Sequence, residues 1–181
     1  LLSTTIHTAM LQRDMSQKVL RFHVLANSDS QADQALKCAV RDRVGTMMAE
    51  KLQNADSLEE STDVVTENLQ EIETCAANVI RENGYDYPVH AALETCAFPE
   101  KSYGDYTFPS GTYEALRVVI GSGEGHNWWC VLFPQMCLPV AFGEPLDDLG
   151  FSDEELRVLK SRPQYEPRFA LLEWAYSIRE N

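Results

Sequence analysis

Across 181 residues, 28 acidic side chains oppose 15 basic ones, for a formal net charge of −13. That balance leaves no basic stripe to displace counterions, so it excludes nucleic acid and anionic lipid surfaces as expected partners. A hydrophobic share of 44%, with three Trp, seven Tyr and seven Phe, excludes a disordered chain and fits one buried core.

No run approaches the roughly 20 apolar residues that cross a bilayer. The chain opens at Leu1 rather than Met, which fits loss of an export signal or an N-terminal anchor upstream. Residues 1–18 are expected to form an N-terminal helical segment after that removed piece, with Ile6, Met10 and Leu11 on one side of a weak helix from Thr4 to Lys18. Residues 19–181 are expected to form a single domain, because no repeat, low-complexity stretch or linker divides them.

From Val19 to Ala26 apolar and polar residues alternate, the pattern of a half-buried strand. Asn27-Ser28-Asp29-Ser30 stops it, and Ser28 with Gln31 reads as a capping box opening a helix. The apolar stripe of that helix is Leu36, Val40, Val44 and Met47. A second helix is expected after Ser57, boxed by Glu60, with the stripe Val65, Leu69, Ile72, Ala76 and Val79 and an end at Asn83-Gly84.

At Tyr87 the period changes to two. Val89, Ala91 and Leu93 alternate with His90, Ala92 and Glu94, and a loop from Phe98 to Gly111 follows. Tyr113 to Ile120 is the clearest strand; with Gly121 to Gly125 as a turn and Trp128 to Phe133 running back, it reads as a hairpin. Pro134, Pro139 and Pro145 mark an irregular segment. Ser152 with Glu155 caps a short helix to Lys160, and a last helix is expected from Glu166 to Ile178.

The order implies an α+β fold: a single mixed β-sheet, built from a strand–helix–helix–strand crossover plus an antiparallel meander, with helices packed mainly on one face. Strand order is left open by the sequence.

Chemical motifs are weak. The Gly121–Gly125 loop joins two strands, carries Glu124 and lacks a Lys, so it reads as a turn rather than a phosphate cradle. His7, His23, His90 and His126 have no metal-ligand spacing, and no metal or cofactor is expected. His23 and His90 fall at polar strand positions and read as surface residues. The acidic run Asp147, Asp148, Asp153 and Glu155 lacks the alternation of a calcium loop. Cys130 with His126 offers a thiolate–imidazolium pair for a small cysteine hydrolase, but the spacing matches no nucleophile signature. Cys130 and Cys137 bracket a Pro-containing turn short enough to bridge, while two buried free thiols fit the same spacing. Trp128 and Trp129, as consecutive strand residues, must point to opposite faces, so at most one enters a given core layer.

Several phrases, taken together, resemble the stage II sporulation protein R family of endospore-forming bacteria. They are Leu20-Arg21-Phe22-His23-Val24-Leu25-Ala26-Asn27-Ser28-Asp29-Ser30, Asp33-Gln34-Ala35-Leu36-Lys37 and Val40-Arg41-Asp42. Later come Tyr103-Gly104-Asp105, Tyr113 to Gly121, Asn127 to Pro134 with Cys137, and Arg168-Phe169 with Leu171-Leu172-Glu173. The resemblance implies a non-enzymatic signalling protein with no small-molecule substrate. It would be secreted from the forespore into the intermembrane space of the sporulation septum. Its implied partner is a membrane-embedded sporulation aspartic protease, which would then process the mother-cell early sigma-factor precursor. The oxidising location favours a Cys130–Cys137 disulfide, leaving Cys38, Cys75 and Cys96 without a role. A wall-glycan-binding module using the tryptophans is a further alternative. Residues expected to meet the partner are His23, Asn27, Ser28, Asp29, Arg41, Asp42, Trp128 and Trp129.

Overall fold

The computed structural model describes residues 13–103, 106–136 and 151–160. The helix expected from Glu166, the Pro139–Pro145 segment, Cys137, Asp147-Asp148 and most of the helix expected from Thr4 lie outside these residues.

Strand β1 (Leu20–Leu25) leads into helix α1 (Gln31–Lys51), then α2 (Leu58–Glu67) and α3 (Leu69–Glu82). Strands β2 (Val89–Phe98), β3 (Lys101–Tyr103), β4 (Tyr106–Phe108), β5 (Gly111–Ile120) and β6 (Asn127–Phe133) follow, and α4 (Asp153–Lys160) is the last described element. The main sheet is mixed, in the order β2-β5-β1-β6, and β3 with β4 forms a separate ribbon. The α+β class and the mixed main sheet are as expected. The loop expected from Phe98 to Gly111 contains the β3–β4 ribbon, in which Ser102 and Thr107 hydroxyls meet at 2.8 Å across the pair.

The expected β5–β6 hairpin is not formed. β1 lies between the two strands, parallel to β5 (Phe22 opposite Leu116) and antiparallel to β6 (Phe22 opposite Cys130). All six β1 residues are buried, and a buried strand needs both of its backbone edges paired. Its place between β5 and β6 pairs both. The glycine-rich connection therefore steps over the end of β1 instead of closing tightly.

The helix starts also shift. Ser30, not Ser28, caps α1 by accepting from the Asp33 amide at 3.1 Å. The buried stripe of α1 ends at Met48 rather than Met47, which is only partly buried. Ser57 caps α2 as expected, accepting from Glu60 N, while the Glu60 carboxylate accepts from Asp56 N at 2.8 Å. The single second helix expected breaks at Asn68, where φ −107° and ψ 7° end α2 and start α3. The Asn68 side chain donates to Val64 O at 2.7 Å, competing locally with the helical ladder.

Two apolar cores result. Leu20, Phe22 and Val24 of β1 meet Val40, Val44 and Met48 of α1 and Ile72, Ala76 and Val79 of α3. Each of these side chains larger than alanine contributes about 1.5–3 kcal/mol on burial, as much as or more than a helix cap supplies. On the opposite face Val19, Tyr113, Ala115 and Val131 pack with Phe98, Phe108, Met15, Leu156 and Leu159. Helices α1, α2 and α3 cover the first face, and α4 with the β3–β4 ribbon covers the second.

Candidate functional site

The end of β1 carries the candidate site, because the β1–α1 and β5–β6 connections meet there. Asn27 follows β1 directly. Its Oδ1 accepts from Ser122 N at 3.0 Å, its backbone carbonyl accepts from the Ser122 hydroxyl at 2.7 Å, and its Nδ2 donates to Asp33 at 3.0 Å. Gly125 N donates to Ala26 O at 2.9 Å. Any Cβ on Gly125 would run into the Ser28 carbonyl, and Gly121 holds φ +60° against the Asn27 side chain. The β5–β6 connection is thus stitched across β1 by Asn27 and admitted by two glycines.

Asp33, in the first turn of α1, is buried and accepts from both Ser28 and Asn27. Those bonds, Ser28 first, hold its carboxyl below the usual range. Lys37, one turn further, is buried as well and donates to His126 O at 2.9 Å. Burial lowers its ammonium below the ordinary lysine value. Asn27, Ser28, Asp33 and Lys37 are therefore committed to internal bonds.

Asp29 and His126 differ from these. Their side chains are 55% and 81% exposed, and Asp29 Oδ1 accepts from both the backbone N and Nδ1 of His126. The His126 bond is the main cause of the lowered Asp29 pKa.

Beside this end, Arg41 forks onto Asp42 at 2.6–2.7 Å and lies over the Trp128 ring at 5.0 Å. Trp128 meets Phe22 edge-on at 5.7 Å, so one ring face rests on the helical core while the indole stays half-buried. A guanidinium stacked on an anchored indole is a preorganised contact for a partner.

The remaining two expected site residues fall on the other face. His23 is not a surface residue: it is 4% exposed, stacked on Trp129 at 4.8 Å and against Phe98 at 5.3 Å. Neither ring nitrogen has a partner, and burial, aided by Arg117, lowers its pKa to about 4, so it is neutral at pH 7. Trp129 turns into the second core, away from Trp128, as alternation along β6 requires.

Arg21, to which no spacing or motif in the sequence points as a site residue, is fully buried beside His23. Nε donates to Cys130 O and Nη2 to Tyr103 Oη, both at 3.1 Å, while Nη1 has no partner. Phe98 and Tyr113 face the guanidinium at 4.5 and 4.9 Å, with Phe108 and Tyr103 beyond. Arginine suits such a cage because its delocalised charge is weakly hydrated and stacks on rings. Burial lowers its pKa, and the same burial raises those of Tyr103 and Tyr113. The one signal available in the sequence was the aromatic density between Phe98 and Tyr113, which lacked an assigned strand to face.

Among the described residues, no cluster of His, Cys, Asp or Glu is arranged to hold a metal ion, and no helix is long and apolar enough to cross a membrane. Cys130 is buried on β6, while the exposed His126 ring bonds Asp29, so the hydrolase pairing is not assembled by this geometry. Cys38, Cys75 and Cys96 are free thiols. His90 is exposed and bonds Glu73 at 2.8 Å, as a surface residue should.

The chain is an α+β protein of the bacterial sporulation class. It belongs to the stage II sporulation protein R family, whose family model matches residues 16–141. It is similar to stage II sporulation protein R of Bacillus subtilis (strain 168), at 38% identity over 120 residues, covering 66% of this chain and 54% of that relative. The match thus spans about half the length of that protein. No solved structure matches the chain.

Proposed function

We propose that this protein is an intercompartmental signal of endospore formation, secreted from the forespore into the septal intermembrane space. There it engages a membrane-embedded aspartic protease of the mother cell and triggers processing of the early sigma-factor precursor. Family membership supports the sporulation role, and that family bears the name of a developmental stage rather than of an enzyme activity. The observation that carries the recognition step is the Arg41–Trp128 stack standing beside the exposed Asp29–His126 pair. The neighbouring polar residues hold the scaffold, so these two pairs are what the end of the sheet offers to a partner. The interface would be partly polar with one aromatic anchor. The protease supplies the catalytic carboxylates.

The pairing of Cys130 with Cys137 belongs to the same proposal. Cys38, Cys75 and Cys96 are free, an extracytoplasmic location is oxidising, and Cys130, midway along β6, stands only seven residues before Cys137 in the chain.

The experiment is co-expression of this chain with the protease and its precursor substrate in a host that does not sporulate. Cleavage that depends on this chain supports the proposal. Cleavage without it, or no cleavage when all three are folded and present, overturns the signalling role.

A further inference from the structure

The outer edge of β2 is an open strand template. In an antiparallel pair, residues alternate between directing both backbone groups at the neighbour and directing both away. Pro88 O accepts from the N of Gly121, the residue just past the end of the neighbouring strand β5, whereas Ala91 N donates outward to the Glu73 carboxylate at 2.9 Å. The β2–β5 register runs from Val89 to Phe98 without a bulge. The odd-numbered residues therefore all face outward. Glu73 caps this edge at Ala91, but among the described residues nothing bonds the outward groups of Leu93, Thr95 or Ala97. Leu93 is half-buried, and Thr95 and Ala97 are exposed. No proline, lysine or bulge blunts the strand there, although edges without such protection recruit other chains.

Charge decides what fits. Glu94 is exposed on this strand, with Arg117 at 3.0 Å on one of its oxygens. Helix α2, packed against β2, carries Glu59, Glu60, Asp63 and Glu67 and no basic residue. A second copy would bring another net −13 to an acidic edge. We infer that Leu93–Ala97 accepts an extended segment of a partner protein as an added strand, with Lys or Arg at alternate positions. Backbone bonds would supply affinity and the acidic flank the preference. This surface lies away from the Trp128 end and does not depend on which partner that end meets.

The test uses two blocked eight-residue probe peptides, alternating Lys-Val and alternating Glu-Val, with amide hydrogen exchange on the whole chain. The Lys-Val peptide should bind and slow exchange at Leu93, Thr95 and Ala97. Thr95→Pro removes an outward N–H that β5 does not use, so the fold should stand while binding weakens at least about tenfold. Thr95→Lys keeps the backbone and places a like charge at the edge; it should weaken Lys-Val binding too, and it carries the test if the proline variant unfolds. Absent protection at these amides, equal binding of both peptides, or unchanged binding in a folded Thr95 variant would overturn the inference. So would sedimentation showing a dimer that Thr95→Lys dissociates, because the edge would then belong to a second copy.

Discussion

His23 and Arg21 stand two residues apart on one face of β1, and both are polar groups in an aromatic layer. The folded value of His23, about 4, lies below the 6.5 of an ordinary imidazole. Between those values the unfolded chain takes up a proton that the folded chain refuses. The stability associated with neutral His23 is complete above pH 6.5 and is lost as pH falls towards 4, by up to about 3 kcal/mol. Asp29, Asp33 and Glu155 are also held low, but their contributions are lost at still lower pH, as the carboxylates protonate. For Glu155, burial raises the value and the Lys18 and Ser152 bonds more than offset it. Denaturant titrations at pH 7, 6, 5 and 4.5 should show the loss in wild type and a much flatter profile in His23→Phe. Arg21→Ala should cost about 3 kcal/mol or more, since it empties the cage and strands the Cys130 carbonyl and Tyr103 hydroxyl. Arg21→Met fills the space without a buried charge, so it should cost clearly less in the same denaturant measurement.

At the level of elements, the connection between β5 and β6 carries the strand order. Asn27→Ala deletes the bonds to Ser122 N and Asp33 while leaving both cores intact. A loss of about 1–3 kcal/mol is expected in chemical denaturation, with faster amide exchange at Ser122 as the local mark. Most of the elements are legible in the sequence because periodicity and caps report local physics: the body of α1, the Ser57 cap and the β-branched β5 stand where their patterns place them, while the α1 cap moves from Ser28 to Ser30. Three features are not. The β3–β4 ribbon is too short for a period to register. The Asn68 break interrupts a stripe that continues across it from Val65 to Ile72. The insertion of β1 between β5 and β6 is a long-range choice, and a glycine-rich connection looks the same whether it closes a hairpin or crosses a strand. The site was legible in part for the same reason. Alternation separated Trp128 from Trp129, but a polar residue on an alternating strand reads as exposed unless the cover on the second face is known. Hence alternation alone places His23 at the surface and gives no sign of the cage around Arg21.

At the scale of the molecule, two cores sandwich one sheet, with the Arg41–Trp128 pair on the rim of the first core and the Asp29–His126 pair exposed beyond it. If Cys130 and Cys137 are bridged, reductant should lower the thermal midpoint of wild type by the equivalent of about 2 kcal/mol and leave Cys130→Ser unmoved. An identical midpoint for wild type with and without reductant would remove that bridge from the account. Whether a partner reads the end of the sheet is settled by sigma-precursor cleavage in the non-sporulating co-expression host. Trp128→Ala, Asp29→Ala and Glu71→Ala, a change on the paired outer surface of α3, would each be compared at equal amounts of folded protein. Recognition at this end requires that Glu71→Ala activate like wild type, while Trp128→Ala and Asp29→Ala each lose most cleavage despite native circular dichroism. Wild-type cleavage by both site variants would contradict it and place the signal elsewhere on the surface.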